Sequence, residues 1–174
     1  MAADLAWAWL HQAASDLAAS DRCYDHRAEE TICHAIAKHQ QAVEKAVKAI
    51  VAALNDRGVI NVATGFRHDV ERLVSVLTRL PHRPSNKEIQ NQIHGLLNEH
   101  HRGEIKAICL LAPKRPGAGE LARRNSEYPY QNRDGTWRAP SDDGSFGKRD
   151  IERFRLVANR ILDGSFRIVS AIYR

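Results

Sequence analysis

The chain has 174 residues, 43% hydrophobic and 27% charged, with a net charge of +5. Such values exclude global disorder, and the length fits one domain, residues 1–174, that buries roughly two-thirds of the surface its unfolded form exposes. The longest apolar runs, such as Ala49–Leu54, fall far short of the roughly 20 residues a bilayer span requires, so no membrane association is expected.

The first residues carry an acid and no positive stretch, which does not read as a secretory leader. Cys23, Cys33 and Cys109 form no CxxC pair. That argues against a disulfide framework and against a zinc site, and the expected location is the reducing cytoplasm. Charge is unevenly placed. Residues 1–101 hold 11 basic and 12 acidic groups, whereas residues 102–174 hold 15 and 9. The excess cation lies wholly in the C-terminal part, where it suits an anionic partner that releases counterions on binding.

In chain order, Leu5, Trp9, Ala13 and Leu17 keep a helical rhythm and predict a first helix over about residues 3–20. Ile32, Ile36, Val43, Ala46, Val47, Ile50 and Leu54 form one apolar stripe, ended by Gly58 as a C-cap glycine would end it. This second helix, about 27–56 and roughly 45 Å long at 1.5 Å per residue, is the expected spine. Val70, Leu73, Val74 and Leu77 predict a short third helix. Ser85, with Glu88 at the capping-box position, opens a fourth. Its stripe runs from Ile89 through a break near Gly103 to Ile108 and Leu111. Residues 126–147 are rich in Pro, Gly, Asp and Ser and read as a long loop. A last helix follows on Ile151, Phe154, Ala158, Ile161, Leu162, Val169 and Ile172, with Gly164 marking a kink or a stop. The fold class is all-α: an up-and-down bundle of about five helices.

Several of these segments, taken in order, resemble one family. They are WLHQAASDLAAS in the first helix, CHAIAKHQQAVEKAVKAIVAAL in the second, TGFRHDVERL after it, ARRNSEYPY before the polar loop, and DIERFRLVANRIL at the close. The order is similar to that of HEPN domains (higher eukaryotes and prokaryotes nucleotide-binding), over about residues 5–165. The resemblance implies a nucleotide- or RNA-associated helical bundle, often a homodimer, and often accompanied by a minimal nucleotidyltransferase. This chain contains no such transferase segment, so the transferase would be a separate partner. Ribonuclease-active members carry an Arg-x(4–6)-His motif late in the fold, where Arg neutralises the scissile phosphate and His moves the proton. All nine histidines here lie at or before residue 101, so the motif is missing from that place. Only Arg27 and His34 match its bare spacing, at the start of the second helix. They remain, with Arg124, the candidates for the alternative reading, an RNase toxin of a toxin–antitoxin or defence system. A third reading is a structural protein–protein interaction module.

The residues themselves support a bundle whichever family name applies. Asp16 lies near the apolar face of the first helix, where a carboxylate needs a partner, and Lys45 or Lys48 would supply one. Gln41, Glu44, Lys45 and Lys48 form a polar stripe that is either a salt-bridged face or a phosphate-accepting cleft. Asp69 would cap the third helix, and Arg67 and His68 beside it suit an anion. Arg123, Arg124 and Tyr128 precede the loop, in a mixture of cations and aromatics that can hold single-stranded nucleic acid. The candidate phosphate ligands are therefore Lys45, Lys48, Arg67, His68, Arg123, Arg124 and Tyr128. His94, Glu99, His100 and His101 do not have metal-ligand spacing and read as surface groups, and Cys33 and Cys109 read as core. No cofactor is implied.

Overall fold

The computed structural model describes residues 2–25, 31–63, 69–81, 87–111, 126, 130–131, 135–141 and 146–174. Six helices make up the fold among them: α1 (Ala2–Asp25), α2 (Ile32–Asp56), α3 (Val70–Thr78), α4 (Lys87–Leu96), α5 (Glu99–Cys109) and α6 (Lys148–Tyr173). The only extended pairing among these residues is a two-residue antiparallel ladder within the loop, β1 (Tyr130–Gln131) against β2 (Trp137–Arg138). No described helix is long and apolar enough to cross a membrane.

Helix α2 is the spine. Ala, Val and Ile dominate it, and most of its residues are buried on every side. Thr31 precedes it and donates its hydroxyl to the Cys23 carbonyl at 2.9 Å, tying the end of α1 to the start of α2. At the other end Gly58 takes φ +64°, a conformation that is strained for a residue with a Cβ. Its N–H donates to Asn55 O, and Val59 N–H donates to Leu54 O, each at 2.9 Å. This is the paired bonding of a Schellman cap, so Gly58 ends the helix as the stripe predicts.

Helix α1 runs antiparallel to α2. Trp9 meets Lys48, Asp16 meets Lys45 and Ser20 meets His39, so one number falls as the other rises. α1 is also antiparallel to α6, where Asp21 pairs with Arg155 while Trp7 packs on Phe166 and Tyr173. These three long helices enclose the core around Leu10, Ile36, Ile50, Ile161 and Ile168, and α3 and α5 cover the far side of α2.

Three expectations change. α1 does not end near residue 20 but runs on to Asp25, with Ser20 buried inside it against His39. The fourth predicted helix is two helices, and the break falls at Leu97–Asn98 rather than at Gly103. Asn98 leaves the helical region at ψ 170° and its side chain accepts from His101 N–H at 3.0 Å, starting α5 with an N-cap. Gly103 lies inside α5. Nor does Gly164 interrupt α6, which continues through it to Tyr173. Gly164 is buried against Leu96, and a Cβ there would overlap both Leu96 δ-carbons. The glycine serves a close helix approach, not a bend.

Candidate functional site

Two places concentrate polar chemistry. The first is the seam between α1 and α2. Asp16 is 3% exposed and receives Lys38 Nζ at 3.2 Å together with Lys45 Nζ. Lys38 also donates to Gln41 Oε1 at 2.9 Å. One turn on, the buried Lys48 donates to Glu44 at 2.6 Å and lies 5.0 Å from the centre of the Trp9 ring. Glu44 accepts from Gln40 at 3.1 Å as well. Both lysines singled out in the sequence are thus held by carboxylates within the fold, Lys45 by Asp16 and Lys48 by Glu44. Burying these charges unpaired would cost several kcal/mol, which explains why each has a partner.

The same seam holds Ser20 and His39, both about 1% exposed, with Ser20 Oγ 2.6 Å from His39 Nε2. His39 Nδ1 has no hydrogen-bond partner among the described residues. Burial lowers the His39 pKa to about 4, against an opposing pull from Asp21, so the ring is neutral across the physiological range. Burial likewise raises the Cys33 and Cys109 thiols, which does not suit nucleophiles; Cys33 lies in the core, and Cys109 is half-buried against it.

The second place is a groove of about 730 Å³ between α4, the start of α5 and the C-terminal half of α6. Leu96, Phe166, Ile168 and Ala171 give it an apolar floor. His101, Arg160, Arg167 and Arg174 bring positive or protonatable groups to its walls. Arg160 donates to Glu104 at 2.7 Å, and His101 Nδ1 is 2.9 Å from the Leu96 carbonyl oxygen. Arg167 and Arg174 are exposed and pair with no carboxylate among the described residues. The three arginines are spaced by seven residues, two turns of helix, so they form one stripe on α6.

Of the other positions the sequence suggests, His34 is exposed in the first turn of α2. Arg27, Arg67, His68, Arg123, Arg124 and Tyr128 lie outside the described residues. Asp69 does cap α3, accepting from Arg72 N–H at 3.3 Å. The groove was not among the sequence candidates. Its signal is the heptad spacing of Arg153, Arg160, Arg167 and Arg174, which an apolar-stripe reading passes over.

Fold and site together define an all-α bundle with a basic groove along its last helix. No family model, no curated protein and no solved structure matches the chain.

Proposed function

We propose that this protein is a non-catalytic, HEPN-like bundle that binds the phosphate groups of nucleotides or RNA and works beside a separate nucleotidyltransferase-type partner. The observation that carries the proposal is the α6 stripe. Arg167 and Arg174 stand without acidic partners among the described residues, on the wall of a groove that also receives Arg160 and His101. Guanidinium groups bind phosphate through planar, two-pronged donation, and an apolar floor gives a base or a sugar a place to rest. Lys45 and Lys48 support the bundle in this reading, and α6 supplies the ligand contacts. The HEPN resemblance supports the transferase partner and homodimerisation.

Calorimetric titration of the purified chain with ATP, GTP and a short RNA at low salt tests the proposal. Binding is expected, and Arg167→Glu/Arg174→Glu is expected to abolish it while the helical circular dichroism is kept. Absence of heat with all three ligands would overturn it. One observation favours the RNase alternative, namely that His101 shares the groove with the arginines and a proton-transfer group beside phosphate ligands is what such chemistry needs. The same samples left with total RNA decide this. Cleavage that vanishes in His101→Ala would replace the non-catalytic reading.

A further inference from the structure

Among the described residues that line the groove, only His101 has a side chain whose charge can change near neutral pH. We propose that His101 is a proton-linked ligand of this groove, taking a proton on Nε2 as a phosphate seats and so tying the strength of binding to pH. The proposal rests on the phosphate-binding reading above.

The hydrogen bond at the other ring nitrogen decides which atom titrates. His101 Nδ1 lies 2.9 Å from the Leu96 carbonyl oxygen. A carbonyl oxygen only accepts, so Nδ1 carries its hydrogen whether the ring is neutral or charged. The anchor therefore survives a change of charge, and it holds the half-buried ring against the wall of the groove. Nε2 has no hydrogen-bond partner among the described residues. Bare in the neutral ring, it can only accept. Once protonated, it donates to an anion.

The charges around the ring couple that proton to the ligand. α6 brings Arg160, Arg167 and Arg174 to the same groove. Arg160 is already answered by Glu104 at 2.7 Å, and the same carboxylate lies 3.7 Å from His100 Nε2. α4 contributes the neutral Gln92 and the Leu96 carbonyl. On α5 itself the neighbouring ring is His100, 5.7 Å away between centres and well exposed. No carboxylate is among the described residues that line the groove. A seated phosphate supplies the missing countercharge, so proton and anion bind together and each strengthens the other. Such a site grips a phosphate more firmly in acidified surroundings. Arginines alone cannot do this, because guanidinium stays charged throughout.

Calorimetry on the whole chain tests this with a short 2′-O-methyl oligouridylate that has hydroxyl ends. Its phosphodiesters and bases keep one charge state over the range used, and it cannot be cleaved through a 2′-hydroxyl. Binding near neutral pH, repeated in two buffers of different ionisation enthalpy, is expected to take up a fraction of one proton. Affinity should rise roughly tenfold from about pH 8 to about pH 5.5, the range over which imidazole titrates, as one charge-assisted hydrogen bond is gained. His101→Gln should abolish the uptake and flatten the profile, with the helical circular dichroism kept at both pH values. His101→Arg, whose charge is fixed, should bind alike at both. His100→Gln removes the adjacent imidazole outside the groove and should leave uptake and profile unchanged. Binding with no proton uptake and a level profile would overturn the role of His101 while leaving phosphate binding intact. Uptake that persists in His101→Gln, or vanishes in His100→Gln, would assign the proton elsewhere and overturn it equally. No binding of this probe at either pH would overturn it too, and the parent reading falls only if ATP, GTP and RNA are silent as well.

Discussion

His39 shows what one buried polar residue does to the behaviour of the chain. Its ring stays neutral in the fold to about pH 4, whereas in the unfolded chain it protonates near pH 6.5. Stability tied to His39 is therefore fully present above pH 6.5. It falls as the pH drops toward 4, because the unfolded state then takes up a proton that the folded state refuses. The loss is on the order of 3 kcal/mol, from roughly 1.4 kcal/mol for each pH unit that separates the folded ring from the unfolded one. Urea unfolding at pH 7.5 and at pH 4.5 reads it directly, and His39→Gln should flatten the dependence by about that amount. Identical pH slopes for the two proteins would disprove the assignment. Asp16 acts in the opposite electrostatic sense, as a buried anion satisfied by two lysines. Asp16→Ala should destabilise the chain by about 1–3 kcal/mol, below the roughly 3–5 kcal/mol of a fully buried pair, since Lys38 and Lys45 both reach solvent. Adding Lys45→Ala to that variant should cost less than Lys45→Ala alone, and strict additivity would show that the pair is uncoupled.

At the scale of elements, local chemistry visible in the letters accounts for most boundaries. The α2 stripe, the glycine at 58 and the aspartate at 69 each name an end or a face that the structure shows. The α4–α5 break is hidden because the apolar rhythm keeps its phase across it, from Ile93 and Leu97 to Ile105 and Ile108. Its cap also lacks the Glu or Gln at the third position that would have announced it, since His101 stands there. Asn98→Ala should therefore destabilise the protein by about 1 kcal/mol, measured by thermal unfolding. Gly164 misleads for a different reason. A glycine inside a helix signals a weak point when only propensity is considered, and here the decisive contact comes from Leu96, which no local pattern reveals. Propensity alone predicts that Gly164→Ala gains about 1 kcal/mol. Overlap with Leu96 should exceed that gain, with an overpacking cost of about 1–3 kcal/mol. Gly164→Ala is thus expected to lower the melting temperature, and Leu96→Ala in the same chain should recover part of the loss. A Gly164→Ala protein more stable than the parent would refute the close-approach role.

For the whole molecule, the sequence identifies the half of the chain that carries the positive charge but not the surface that gathers it. Residues 102–174 hold the excess, and three of their arginines, Arg160, Arg167 and Arg174, line one groove with residues of α4 and the start of α5. That convergence is a tertiary fact with no local signature. The stripe also bears on assembly. Two copies packed groove to groove would set arginine against arginine, so the proposed homodimer should use another face. Sedimentation of Arg167→Glu/Arg174→Glu should match that of the unaltered chain, and a change in its association state would place the groove in the dimer interface.

The charged seam between α1 and α2 has one more effect. Both helices bury alanines, Ala6 and Ala13 on α1 and Ala35, Ala42, Ala46, Ala49 and Ala53 on α2, beside larger residues such as Leu10 and Leu17. Side chains as small as alanine form shallow ridges, so apolar packing on such a track discriminates less sharply against a slip of one turn, about 5.4 Å, than larger side chains would. Asp16 acts as an index peg on that track. A slip by one turn would carry its carboxylate away from Lys38 and Lys45 while it stayed under cover, and so only one alignment of the two rods is tolerated. Replacing Asp16, Lys38 and Lys45 together by leucine should leave a protein that still melts cooperatively but gives doubled amide resonances along α1, the mark of two coexisting alignments.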